Sequence, residues 1–188
     1  KATYNNQIYL PLNKDVILAF NGDIGVGRAF SGSEYPLFKN FYAGGPQSIR
    51  GYEANTLGPS YGVCIPLPPA LTCVPSYLQP LGGAVKVAGT FELLFPKIFK
   101  ARGTRLSAFL DYGNVFAGSF DYDSYTNPAT GAVFGADKFK FDALRASVGV
   151  ALQWQAPVGP ISISYAQPLN DGPFDRVERL QFTFGQQF

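Results

Sequence analysis

The sequence predicts an all-β fold, an antiparallel transmembrane β-barrel segment of about seven strands. Three observations predict it. Seven segments alternate apolar and polar residues with the period of a strand. Their connections alternate short with long, which places tight turns on one rim and long loops on the other. Aromatic residues such as Tyr4, Tyr9, Phe95, Phe116 and Trp154 gather toward segment ends, where two membrane interfaces would lie. No segment sustains a 3.6-residue stripe, so helix should be scarce.

The segments follow in order. "ATYNNQIYLPL" and "VILAFNGDIGVG" are joined through the short "PLNKD", and a loop of roughly fifty-five residues, 28–83, comes next. "AVKVAGTFELLF" sets Lys86, Ala88, Thr90 and Glu92 on its more polar, inward face. The short "PKIFKARG" leads into "TRLSAFLDYGNVF", whose inward set is Arg105, Ser107, Phe109, Asp111 and Gly113. After a loop of about twenty-five residues (Ala117 to Asp142), "ALRASVGVALQW" puts Leu144, Ala146, Val148, Val150, Leu152 and Trp154 on one face. Arg145, Ser147, Gly149, Ala151 and Gln153 share the other. "QAPVGP" turns the chain into "PISISYAQPL", a loop of about ten residues (Asn170 to Arg179) follows, and "LQFTFGQQF" closes the series. Segments of about 9–12 residues suit a tilted strand crossing the hydrocarbon layer. A soluble β-sandwich alternates in the same way, but it does not require the short–long rhythm of the connections.

Composition narrows the function classes. The 188 residues are 46% hydrophobic, yet mean hydropathy is only +0.02, and no run approaches the roughly 18 apolar residues of a membrane-spanning helix. Net charge of +2, dispersed along the chain, argues against nucleic acid as a partner. The absence of histidine excludes a Ser-His-Asp triad and, with no second cysteine pair, argues against a zinc site. "GDIGVG" has no helix after it and lacks the full nucleotide-binding fingerprint. Asp121 and Asp123 read as a solvated loop or a weak calcium pair, and no metal, cofactor or enzymatic chemistry is expected. Cys64 and Cys73 lie in one Pro-rich loop; a local disulfide in an oxidising compartment is the natural reading, and two free thiols the alternative. The chain opens in mid-pattern at "KATYNNQIYL" and reads as a piece of a longer precursor. An odd strand count in an open sheet leaves two unpaired edges, so further strands precede it or copies dimerise edge to edge.

The loop "NFYAGGPQSIRGYEANTLGP" closely resembles the arginine-bearing loop of the BamA family, the outer-membrane protein insertases of Gram-negative bacteria. "ALQWQAPVGPISISYAQPL" resembles that family's penultimate strands, the terminal aromatic Phe188 fits it, and so does a cysteine pair in the long loop. The resemblance covers essentially the whole chain and implies the last seven strands of a barrel of about sixteen. It also implies an extracellular 28–83 loop tucked into the lumen, with Arg50, Gly51 and Tyr52 at its tip. Arg50 would contact Asp111, Glu92 and Phe109 on the inner wall, and Gly44, Gly45 and Gly51 would let the backbone approach it. Gly185 stands where the family's last strand kinks at a weak lateral seam, with Phe188 beyond it.

The function implied is assembly of outer-membrane proteins without nucleotide hydrolysis. The partners implied are outer-membrane lipids, unfolded β-barrel clients and accessory lipoproteins reached through periplasmic domains. "IRGY" alone is shared with TamA-like and two-partner secretion transporters, and a passive porin is the reading from a different class.

Overall fold

In a computed structural model of the chain the described residues are 1–29, 35–67, 72–96, 98, 103–118, 131–136, 138–157 and 159–185; for 63–67 and 72–77 the description covers the backbone alone. Twelve strands occur among them. In chain order they are β1 (Ala2–Pro11), β2 (Ile17–Val26), β3 (Gly51–Tyr52), β4 (Ser60–Leu67), β5 (Thr72–Pro80) and β6 (Val85–Phe95). There follow β7 (Thr104–Phe116), β8 (Gly131–Phe134), β9 (Arg145–Ala156), β10 (Gly159–Asn170), β11 (Val177–Glu178) and β12 (Leu180–Phe184). Among the described residues only short 3-10 turns, Leu37–Lys39 and Phe141–Ala143, represent helix. Among the described residues no helix is long and apolar enough to cross a membrane.

Seven strands form one antiparallel sheet in the order β1-β2-β6-β7-β9-β10-β12. They correspond to the seven alternating segments of the sequence, and each pairs with the next along the chain. Such a meander needs only hairpin connections, and the alternation of each strand fixes its register by assigning one face to the apolar residues.

The faces are inverted relative to a water-soluble sheet. Ile8, Ile24, Phe91, Leu93, Leu110, Val148, Val150, Leu152, Ile163, Leu180, Phe182 and Phe184 are exposed. In register they share one face, which we call outer. The inner face carries buried Ser107, Asp111, Ser147, Ser164 and Gln181 beside Phe109, Ala151 and Ala166. A continuous exposed apolar face of this extent belongs against lipid. The buried core lies on the other side, between the inner face and the long loop: Ala43, Ile49, Tyr52 and Leu57 of the loop pack on Ala88 and Val115 of the wall.

Several expectations change. The 28–83 segment is no plain loop, because it holds β3, β4 and β5; β8 and β11 likewise lie in the two shorter connections. β4 pairs with both β5 and β8 in a separate three-stranded sheet, order β5-β4-β8, and β3 pairs with β11. The Pro-rich cysteine segment is therefore a hairpin, with Cys64 opposite Pro75 and Cys73 opposite Pro66. Proline is tolerated there because Pro75 lies on β5, an edge of that sheet, and Pro66 lies on β4 beyond its pairing with β8, which ends at Val63. The cysteine side chains, with their proposed disulfide, lie outside the described residues, as do Asp121, Asp123 and Phe188. Tyr9, expected in an outer aromatic girdle, pairs with buried Ala19 and so sits on the inner face. Phe116, expected in the same girdle, is only 1% exposed.

Candidate functional site: a loop anchored across the inner wall

The wall of the site is set by strand register. Thr90 on β6 pairs with Asp111 on β7, Glu92 pairs with Phe109, and Asp111 pairs in turn with Ser147 on β9. Period-two alternation sends all five side chains to the inner face, in adjacent positions. Across the strand from Phe109 stands Gly149, where an added Cβ would lie 2.6 Å from the ring. The missing side chain lets the Phe109 ring lie flat against the wall.

The loop descends on this wall through a tight turn. Gly45 N–H donates to the carbonyls of Ile49 (3.1 Å) and Tyr52 (2.9 Å), while Ile49 is fully buried against Ala88 and Val115. Gly51 takes φ +91°, and a Cβ there would sit 3.2 Å from that of Ala166 and 3.4 Å from that of Ser147. Only glycine combines that backbone conformation with so close an approach. Arg50 is thereby delivered to the acidic wall.

Its guanidinium makes a fork on Asp111: Nε donates to Oδ2 at 2.7 Å and Nη2 to Oδ1 at 2.8 Å. The Arg50 backbone N–H donates to Oδ2 as well, at 3.0 Å. Thr90 Oγ1 donates to Oδ1 at 2.8 Å, so four donors converge on one carboxylate that has no exposed surface. Nη1 reaches Glu92 Oε1 at 3.5 Å, a weak contact, and Ser107 Oγ holds that same oxygen at 2.5 Å. The guanidinium carbon lies 3.3 Å above the Phe109 ring centroid. A planar, delocalised cation suits this sandwich of carboxylate and ring where an ammonium would not. Burial pulls the Arg50 pKa down, but hydrogen bonding and charge from Asp111, with Glu92 behind them, outweigh it and leave the net shift upward. The charge is therefore permanent.

Tyr52 and the residues around it extend the anchor beyond Arg50. Ser147 Oγ donates to the Arg50 carbonyl at 2.5 Å, and the Tyr52 hydroxyl donates to the Asn170 carbonyl at 2.5 Å. Burial raises the Tyr52 phenol to about 12, with Asp175 adding to the rise. Gln181 on β12, itself buried, donates from Nε2 to the Tyr52 carbonyl at 2.7 Å. Glu53 N–H donates to the Arg176 carbonyl at 2.8 Å beside the β3–β11 ladder. The loop thus touches β6, β7, β9, β10 and β12.

Of the residues singled out in the sequence, Arg50, Gly51, Glu92, Phe109 and Asp111 meet at one point, with Tyr52 beside them. Gly185 lies elsewhere, just past β12, with φ +107° and its N–H donating to the Pro160 carbonyl at 3.1 Å. Sequence reasoning missed the roles of Thr90, Ser107, Ser147, Asn170 and Gln181. For Ser147 and Thr90 the available signal was their inward phase beside Asp111. Among the described residues no cluster of acidic or sulfur side chains could hold a metal ion.

A family model described as the Omp85 superfamily domain matches residues 1–188, the full sequence. The chain belongs to the Omp85 superfamily. Within it, the chain is similar to the outer membrane protein assembly factor BamA of Neisseria meningitidis serogroup B, at 39% identity over the whole of this chain and 24% of that protein. A BamA of Nitratidesulfovibrio vulgaris is 29% identical over 82% of this chain and 16% of its own length. Among solved structures, BamA from Haemophilus ducreyi lacking POTRA domains 1-3 superposes with TM-score 0.75 at 28% identity, over 96% of this chain and 33% of that one. The Omp85 chain described here thus spans about a quarter or less of the curated relatives it matches. Its sheet is the barrel portion of a BamA-like protein, and its location is the outer membrane of a Gram-negative bacterium.

Proposed function

We propose that this Omp85 barrel segment belongs to an insertase that catalyses folding and insertion of β-barrel proteins into the outer membrane. The observation that carries the reading is the Arg50 fork on fully buried Asp111, capped by Phe109. A passive pore needs a charged constriction. It does not need a loop fastened to five strands at once. The loop acts as a strut that sets the inner shape of the barrel, and its work is non-covalent. The segment bearing it is extracellular, since long loops of such barrels lie on that side.

Gly185 and β12, at one edge of the sheet, form one flank of a lateral seam. Among the described residues β12 pairs with β10 from Tyr165–Leu180 to Ile161–Phe184. A strand at the edge of the sheet is a natural acceptor for the edge of an incoming client hairpin. Accessory lipoproteins would engage parts of the parent protein outside this segment.

The test uses the full-length parent chain in liposomes, with an unfolded β-barrel client added and its folding followed by heat-modifiable gel mobility. Wild type should accelerate folding, and Arg50→Ala should remove most of the acceleration. Steady ion conductance from both proteins, without acceleration by either, would favour a porin and overturn the proposal.

A further inference from the structure

The chain at one edge of the seven-stranded sheet changes partner part-way along its length. From Leu180 to Phe184 it is β12 and pairs with β10 of the wall. On the other side of Arg179 it is β11, where Val177 and Glu178 pair instead with Tyr52 and Gly51 of the loop. β3 lies over the inner face of β10: an added Cβ on Gly51 would stand 3.2 Å from that of Ala166 and 3.5 Å from Pro168 Cδ. β11 follows β3 there, into a separate two-stranded sheet. The wall therefore holds one end of this edge strand, and the loop holds the other.

Two contacts tie the junction. Ala166 N–H donates to the Arg179 carbonyl at 2.8 Å, which joins the wall to the point where the strand changes partner. Gln181, 3% exposed, donates from Nε2 to the Tyr52 carbonyl at 2.7 Å, and the same carbonyl accepts Gly45 N–H at 2.9 Å. The loop turn and the edge strand thus meet on one oxygen. Among the described residues Gln181 Oε1 has no hydrogen-bond partner. Burying a polar atom in that way is unfavourable, and an apolar side chain at the position would avoid it. What offsets it is the donor that the amide gives to the loop.

We propose that Gln181 is a positioning residue that couples docking of the loop to the seam. With Arg50 on Asp111, β3 is fixed against the wall, and Gln181 and β11 hold the loop-side end of the edge strand inward. Leu180–Phe184 is then the part that lies in the sheet edge offered to a client strand. When the loop lifts, β11 and Gln181 lose their loop partners together, and the released end lengthens the edge open to pairing. The docked loop so limits how much of the edge a client meets. This role rests on the seam reading given above, whereas the coupling itself is a property of the fold. Coupling of this kind is reciprocal: whatever loop docking does to the strand, the strand does to the loop.

Hydrogen exchange on the full-length parent protein in liposomes reads both directions, with the Ala166 amide reporting the strand and the Gly45 amide the loop turn. Arg50→Ala should speed exchange at Ala166 by about ten-fold or more, although the Arg50 side chain is bonded to β6 and β7. Gln181→Leu should speed exchange at Gly45 by about three- to ten-fold, the weight of one hydrogen bond, while keeping the heat-modifiable mobility of a folded barrel. Gln181→Asn keeps the amide but falls one carbon short of Tyr52, and should act alike. In Arg50→Ala/Gln181→Leu the two effects should fall well short of multiplying, because each substitution breaks the same connection; a merely structural glutamine would give independent, multiplying effects. A change at Ala166 below about two-fold in Arg50→Ala, or multiplying effects in the double variant, would overturn the proposal. Client folding is measured separately, so a wild type that accelerates no folding would sink the insertase reading and leave the coupling as measured.

Discussion

Replacing Arg50 with alanine removes two short hydrogen bonds to Asp111, a weak contact to Glu92 and the cation above Phe109. Hydrogen bonds to charged groups contribute about 1.5–3 kcal/mol each, so the fork alone accounts for about 3–6 kcal/mol. Breaking a buried ion pair costs about 3–5 kcal/mol, because the abandoned charge remains out of water. The Arg50 side chain keeps 11% exposure, which favours the lower part of that range. Asp111 would retain only Thr90 and one backbone N–H. The loop should then open locally about a hundred-fold or more often, the equivalent of about 3 kcal/mol. Hydrogen exchange of the Gly45 and Glu53 amides, both bonded within the anchored turn, reads this directly in the full-length protein. Arg50→Lys should recover less than half of the protection, since one ammonium cannot span both carboxylate oxygens. A change below about three-fold in Arg50→Ala would refute the reasoning, because the remaining contacts would then hold the loop unaided.

Three further outcomes follow from neighbouring positions. Gly51→Ala must adopt φ +91° against Ala166 and Ser147, and should destabilise the docked loop by about 1–3 kcal/mol, read as faster exchange at Glu53. Tyr52→Phe removes the donor to Asn170 and should cost about 1–3 kcal/mol of loop protection. Its phenol is raised in the folded protein to about 12, so the stabilisation it provides is fully present below the ordinary value of 10.0. That stabilisation is lost as pH rises from there through about 12, and an absorbance titration of wild type should show one late phenolate that the variant lacks. Gly185→Val has room for its side chain but not for φ +107°, and should slow client folding without altering exchange at Glu53.

Much of the framework was legible because strand period is a local property. Each of the seven wall segments carries its own apolar face, so the alternation alone sets Glu92, Phe109 and Asp111 inward, without any pairing. What joined them to Arg50 was resemblance of the "IRGY" loop to a known family, since no local pattern links residue 50 to residue 111. The roles of Ser107, Ser147 and Gln181 are not legible in the sequence, because small polar residues line any wet barrel interior and only tertiary register shows which ones meet the anchor. β3 and β11 escaped for a related reason: two-residue strands have no period to read. β4 and β5 read as a Pro-rich loop in the sequence, since proline argues against a central strand; Pro75 is accommodated on the edge strand β5, and Pro66 beyond the stretch of β4 that pairs with β8.

The central claim is that a buried ion pair between loop and wall supports insertase activity, and a charge-reversal cycle in the liposome folding assay tests it most directly. Arg50→Asp and Asp111→Arg should each abolish acceleration of client folding by the full-length protein, because each sets like charges against one another in a buried site. The double variant restores opposite charges and should recover a substantial part of the rate. A double variant no better than either single one, or a single reversal as active as wild type, would contradict it.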